Sequence, residues 1–368
     1  MLRTVDADSH VEESEATWAH LDAEFADRRP RVIRVPDAPW LMGFDALWWI
    51  DGHTYPRPRG HGASIYSSPP LSTRARGKRF SVESQSLSDL DARIRDLDRF
   101  GLDVQVLFPT VFLEPLSADV RFEAALMRSY NTWIAERCAA SRGRLKHVAV
   151  LPLRSPHDAV AETRRAAEQG AVGLAVFGTA GQMLLHDRAL DPVYAEAQRQ
   201  RLPLCVHVGW SHPGLNQSAD SIYSAQLLGF TLPVLMGFFS IVGGGVLDRF
   251  PDLKVGFFEA GIGWLPYWIE RMDHYFHVDA PGPISALPAR PPSEYLRGGQ
   301  LYFGCEIDDR LLPQMAELVG PEYLLFASDI PHADREKDAA AELMGRTDLP
   351  ETTRQLILSE NTARFYGL

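Results

Sequence analysis

The chain has 368 residues, 45% hydrophobic and 23% charged, which fits a folded globular protein and excludes a disordered or fibrous one. A net charge of −11 speaks against a nucleic-acid partner, and the acidic excess is read as solubility. The three cysteines, Cys138, Cys205 and Cys305, are odd in number and far apart, so reduced thiols and a cytoplasmic setting are expected.

The residues Met1-Leu2-Arg3-Thr4 lead directly into a strand, so no leader peptide is expected. Apolar runs then recur at 5–8, 104–109, 147–152, 171–177, 202–208, 254–259, 300–304 and 323–328. Most are continuous rather than alternating, as in strands buried on both faces of a parallel sheet. Between them, 158–169 has apolar residues at helical spacing and stops at Gly170. A second helix is expected over 191–201, and a last one over 351–365 with Leu356, Ile357 and Phe365 on its core stripe. Eight strands with helical links predict an α/β fold, a (β/α)8 barrel of the TIM type, as a single domain over 1–368. The alternative is a doubly wound open sheet, but Gly243-Gly244-Gly245 lies within a helical link and makes a poor phosphate turn.

Two links are overlong. The first, 11–100, carries Trp40, Trp48, Trp49, His53, Tyr55, His61 and Tyr66 among many Pro, Gly and Arg residues. Its aromatics argue against disorder, and Ile50-Asp51-Gly52-His53-Thr54 reads as a hairpin. The segment is expected to cap the barrel mouth; a surface excursion or dimer arm is the alternative. The second, 221–247, has no charged residue and is long enough to span a bilayer. Pro233, several glycines and the absence of a basic flank favour a buried helix, or one packed on a second subunit, over a membrane span. A homodimer or higher homo-oligomer is expected, with no membrane partner.

The chemistry lies where apolar runs end in polar side chains. Asp8 and His10 are two apart, so on a strand both face one side. His207 ends the fifth strand and Asp329 the eighth. Each alone reads as a core or turn residue. Together, two carboxylates and two imidazoles at strand C-terminal ends form a four-ligand set for one divalent ion. Zn2+ is the first choice, with Mn2+ and Fe2+ as alternatives.

Asp6-Ala7-Asp8-Ser9-His10-Val11-Glu12-Glu13, His207 and Phe326-Ala327-Ser328-Asp329-Ile330-Pro331-His332 resemble the amidohydrolase superfamily. The similarity is strongest to the amidohydrolase-2 group, which includes aminocarboxymuconate-semialdehyde decarboxylase. Glu259-Ala260-Gly261-Ile262-Gly263-Trp264 and the tail Glu360-Asn361-Thr362-Ala363-Arg364-Phe365 support it. The resemblance implies Asp8, His10, His207 and Asp329 as ligands. It also implies a single ion, because the fourth strand ends Val176-Phe177-Gly178 without the bridging lysine or glutamate of binuclear relatives. Decarboxylases of the group often carry a catalytic histidine after the sixth strand; this chain has Glu259 there. Glu259 is therefore a candidate proton shuttle, or a structural partner of an arginine such as Arg271.

His212 and His332 are further candidate acids, and Glu306 a candidate at the mouth. His53, Arg57, Arg59 and Trp49 of the cap are candidate substrate contacts. The expected reaction is hydrolysis of a small cyclic or aromatic amide, lactone or carbonyl by metal-bound water, whose pKa falls from 15.7 to about 7. Asp329 would accept the proton. The alternatives are non-oxidative decarboxylation of an aromatic or unsaturated acid on the same ion, and a ligand-binding barrel without turnover.

Overall fold

The computed structural model describes residues 4–35, 43–279, 288–332 and 338–368. Eight parallel strands pair in chain order. They are β1 (Val5–Val11), β2 (Val104–Pro109), β3 (Leu145–Val150), β4 (Gly173–Phe177), β5 (Leu204–His207), β6 (Val255–Phe258), β7 (Leu301–Cys305) and β8 (Leu324–Phe326). The ring closes just past β8, where the Asp329 N–H donates to the Asp8 carbonyl (3.0 Å) and the His10 N–H to the Ile330 carbonyl (2.7 Å). The expected TIM-type barrel is present, and β2 occupies the predicted 104–109. Strand β1 runs past the predicted residue 8 through His10 to Val11, because its polar residues are buried and keep pairing with β2.

Buried polar groups lock the closure seam. The Asp6 carboxylate accepts from the Ser328 N–H (3.0 Å) and hydroxyl (2.5 Å) and from the Gln105 side chain (3.0 Å). Burial pushes the Asp6 carboxyl up to about 7 against these donors. Arg93, fully buried, donates to Gln105 (3.0 Å) and to the His10 (3.0 Å) and Ile330 (3.4 Å) carbonyls.

The crossover helices include Pro156–Glu168 and Asp191–Gln200, close to expectation. The last helical stretch contains a π turn, Leu356–Glu360, between Glu351–Gln355 and Asn361–Tyr366. A wider turn rotates the face that follows. Leu358 therefore joins Ile357 and Phe365 in the core, while Leu356 is only half-buried.

The inserted region holds a three-stranded antiparallel sheet, Arg31–Arg34, Ala46–Ile50 and His53–Tyr55. The expected hairpin is there: Ile50 pairs with His53, and Asp51 (φ 48°) and Gly52 (φ 83°) take the left-handed turn. The insertion ends at Asp89, the N-cap of helix Leu90–Arg99, short of the predicted 100; that helix is the ordinary crossover to β2. Trp48 packs edge-on to Trp18 (6.0 Å), and both belong to the barrel's continuous hydrophobic core. Trp40 lies outside the described residues.

The uncharged segment forms a helical run, Ile222–Gly243, long and apolar enough to cross a membrane, yet 56% of its apolar window is buried against the protein. It seats on the end of β4. A Cβ on Gly178 would lie 1.6 Å from the Pro233 carbonyl oxygen, so no side chain fits there.

Candidate metal centre

The barrel delivers six chemically active side chains to one place. Asp8 and His10 come from β1, His207 from the end of β5, Glu259 from just past β6, and Asp329 and His332 from just past β8. Two overlapping foursomes have ligand atoms within 4.8 Å of one another: Asp8, His10, His207 and Glu259, and His10, Glu259, Asp329 and His332. His207 Nε2 lies 3.4 Å from Asp8 Oδ2 and 3.2 Å from Glu259 Oε2. His10 Nε2 lies 3.3 Å from Asp329 Oδ1, 3.6 Å from Asp8 Oδ1 and 3.8 Å from Glu259 Oε2.

Outer hydrogen bonds set both imidazoles in the ligating tautomer. His10 Nδ1 faces the Pro109 carbonyl and His207 Nδ1 the Val208 carbonyl, each at 3.0 Å. A carbonyl only accepts, so each Nδ1 carries the hydrogen and each Nε2 offers its lone pair to the cluster. Burial, with His332 and His207 nearby, holds the His10 imidazole well below its ordinary pKa. Burial pulls His207 down too, but the Asp8 carboxylate outweighs it and leaves His207 raised.

Both Asp8 oxygens and both Nε2 atoms are buried without a conventional hydrogen bond. Such groups are costly to bury unless something compensates them. Acceptors alone, converging at these spacings, are what a cation would satisfy. The residues therefore fit the divalent ion expected from the strand ends.

Glu259 (φ 60°) and Asp329 (φ 55°) both adopt left-handed backbone, which non-glycine residues enter at a cost. That conformation turns each carboxylate back over the barrel mouth directly after its strand. Glu259 joins the cluster, whereas Arg271 sits over the Tyr275 ring (4.8 Å), so of the two readings of Glu259 the geometry favours the one at the barrel mouth. Asp329 Oδ1 lies 2.7 Å from His332 Nδ1, and His332 Nε2 lies 3.2 Å from the Thr110 hydroxyl. Thr110 is held in turn by Glu13, whose carboxylate accepts the Thr110 and Val111 N–H groups, both at 2.9 Å.

Other candidates fall elsewhere. His212 caps helix Pro213–Ser218, its Nδ1 accepting the Leu215 N–H (3.2 Å), and stands outside both foursomes. Glu306 also stands outside them; its N–H donates to Asp309 (2.9 Å) in the turn after β7. His53 is exposed on the hairpin, Arg59 is exposed, and Trp49 is half-buried in the three-stranded sheet opposite Arg31 and Thr54. Arg57 stacks on the Tyr55 ring (5.1 Å) and donates to its hydroxyl (3.3 Å). The insertion instead delivers Tyr66, whose ring lies 4.8 Å from that of His332. Tyr66 and Thr110 were not singled out for the site from the sequence. Thr110 directly follows β2, a position the strand-end rule would have found; Tyr66 carried no signal beyond being one aromatic among several.

Comparison with known proteins bears on the chemistry. The chain is 25% identical over 334 residues, 87% of its length and 91% of the relative's, to 2-amino-3-carboxymuconate-6-semialdehyde decarboxylase of Dictyostelium discoideum. It is 25% identical over 298 residues, 78% of its length and 90% of the relative's, to gamma-resorcylate decarboxylase of a Polaromonas species. Among solved structures, an amidohydrolase from Mycobacterium avium subsp. paratuberculosis matches with TM-score 0.80 at 20% identity, covering 100% of this chain and 98% of that one. A manganese-bound 5-carboxyvanillate decarboxylase from Novosphingobium aromaticivorans matches with TM-score 0.68 at 19% identity, covering 78% of this chain and 82% of that one. The expected hydrolysis is corrected by the two aligned relatives, both named as decarboxylases; a strand-end metal serves either reaction, so the ligands alone did not separate the two. The amidohydrolase family model matches residues 50–368, and with the barrel and its strand-end cluster in place, the chain belongs to that family.

Proposed function

We propose that this protein is a metal-dependent, non-oxidative decarboxylase of an aromatic or unsaturated carboxylic acid. The observation that carries the reading is the convergence of buried Asp8, His10, His207 and Asp329, with partly buried Glu259 among them, at the barrel mouth. The decarboxylase relatives, aligned over most of both chains, support this reaction over others open to the fold. Asp8, His10 and His207 would hold the ion together with a carboxylate from the ends of β6 or β8. When bound, the ion supplies positive charge that orients the substrate carboxylate and a neighbouring oxygen. Mn2+, Zn2+ and Fe2+ all suit these nitrogen and oxygen donors.

The chain's own groups then manage the proton. Asp329, 2.7 Å from His332, is placed to hold a proton over the mouth and pass it to the substrate carbon. The bond to the carboxyl carbon breaks, its electron pair stays on the ring or alkene carbon, and the proton takes the vacated position as CO2 leaves. His332, tied to Thr110 by its other nitrogen, restores the proton to Asp329. The Tyr66 ring beside His332 offers an apolar wall for a planar substrate.

A reducing cytoplasm suits the three cysteines, all buried free thiols. A second copy of the chain is the partner we expect on the helical run Ile222–Gly243, where Tyr223 (80%), Leu227 (51%) and Phe239 (42%) are exposed.

The test is CO2 release from a panel of hydroxybenzoates and unsaturated dicarboxylic acids, with protein freed of metal and reloaded with Mn2+ or Zn2+. Metal-dependent CO2 from at least one acid is the expected result. Turnover of amides or lactones with no acid decarboxylated would overturn the reading.

A further inference from the structure

We propose that Thr110 is the positioning residue of the Asp329–His332 pair: its hydroxyl selects the ring orientation of His332 that sets Nδ1 on Asp329, and Glu13 and Ser67 hold Thr110 in place. This rests on the decarboxylation reading above, in which that pair manages the proton.

The His332 ring is fully buried and packs against two others, His10 at 4.1 Å in a stacked contact and Tyr66 at 4.8 Å. Such packing fixes the plane of a ring but not which edge faces which neighbour. A half-turn about χ2 keeps both ring contacts and puts Cδ2 in the place of Nδ1 and Cε1 in the place of Nε2. Polar contacts alone separate the two placements. In the one present, Nδ1 lies 2.7 Å from Asp329 Oδ1 and Nε2 lies 3.2 Å from the Thr110 hydroxyl. A hydroxyl both donates and accepts, so it keeps this contact whichever ring nitrogen carries the hydrogen. The arrangement is that of a base oriented by a third group.

Thr110 is itself clamped from two further segments. The Glu13 carboxylate, just past β1, accepts its N–H (2.9 Å), and the Ser67 hydroxyl, from the insertion, donates to its carbonyl (2.9 Å). Glu13 (1%), Ser67 (3%) and Thr110 (0%) are all shut off from solvent, so water does not compete for these bonds. Ser67 takes left-handed backbone (φ 71°) directly after Tyr66. The bond that seats Thr110 therefore also anchors the segment whose ring packs on His332. One threonine thus ties the ends of β1 and β2, the insertion and the proton-handling pair together.

The experiment uses Zn2+-loaded protein as wild type, Thr110→Val, Thr110→Ser, Glu13→Gln and the double variant Glu13→Gln with Thr110→Val. Nitrogen-15 NMR of imidazole-labelled protein reads the ring, the His332 signals being those missing from His332→Gln. Circular dichroism and metal content report the fold and the centre. Thr110→Val is expected to shift the His332 signals, keep stoichiometric Zn2+, and lower kcat by about tenfold with KM within about twofold, as for the loss of one buried hydrogen bond. Thr110→Ser should restore the signals and most of kcat. Glu13→Gln should shift the same signals, and the double variant should be no slower than Thr110→Val alone. Unchanged His332 signals and kcat in Thr110→Val, or Thr110→Ser as slow as Thr110→Val, overturn the proposal. An additive loss in the double variant overturns Glu13's part in it. If Thr110→Val does not fold, Thr110→Ala is read in its place. Signals that move as expected in protein that releases CO2 from no acid support the placement of His332 and overturn the reaction.

Discussion

At the scale of single residues, the site depends on buried side chains whose partners are one another. His207 is the plainest case: 1% exposed, with Nδ1 committed to a carbonyl, its Nε2 is useful only toward the cluster. His207→Ala is expected to abolish stoichiometric metal in the purified protein while far-ultraviolet circular dichroism stays native. Full metal content in that variant would remove the centre. His332 makes a different prediction. It touches Asp329 and Thr110, so His332→Gln should keep the ion and slow turnover by about 10²-fold, read in the rate under saturating substrate. An unchanged rate would return it to a packing role beside Tyr66. These residues were legible because each stands where an apolar strand stops. The contacts that orient them were not, since Pro109 and Val208 act through backbone carbonyls that nothing in the sequence marks.

At the scale of elements, the barrel closes at the candidate metal site itself. Arg93 reaches from helix Leu90–Arg99 to the carbonyls of His10 and Ile330, one a candidate ligand and the other the residue after Asp329. Burial lowers its guanidinium pKa to about 10, and the three acceptors it satisfies at the seam justify that cost. The other critical junction is the helical run Ile222–Gly243 against β4. Gly178→Ala puts a methyl 1.6 Å from the Pro233 carbonyl oxygen, so helix or strand must move. A destabilisation of about 3 kcal/mol is expected in urea unfolding; a loss under about 0.5 kcal/mol would mean that the helix yields freely. The same packing bars any side chain, a lysine or glutamate included, from position 178 directly after the fourth strand.

At the scale of the molecule, metal and proton linkage should both be visible in stability. Removing the ion with chelator is expected to lower the melting temperature, since a ligand present at 100 times its dissociation constant stabilises by about 2.7 kcal/mol. Identical melting with and without metal would argue against the site. His147, buried in β3 with its pKa lowered from 6.5 to about 4 by burial, adds a pH term. Below 6.5 the unfolded chain takes up a proton that the folded chain refuses. Stability is thus full above that value and falls by up to about 3 kcal/mol as pH drops to about 4. His147→Phe should flatten this slope, measured as the pH dependence of the urea midpoint. The sequence by itself determined the eight strands, the barrel they form, the hairpin at Asp51-Gly52, and the ends at which Asp8, His10, His207 and Asp329 emerge. These follow from local apolar runs and turn residues, whose physics spans a few positions. Only the tertiary structure decided that Glu259 joins the cluster at the barrel mouth, that Asp329 leans on His332, that Tyr66 is the insertion's contribution, and that His212 serves a helix end. Those outcomes turn on ångström distances between segments far apart in the chain, which backbone conformation and packing set together.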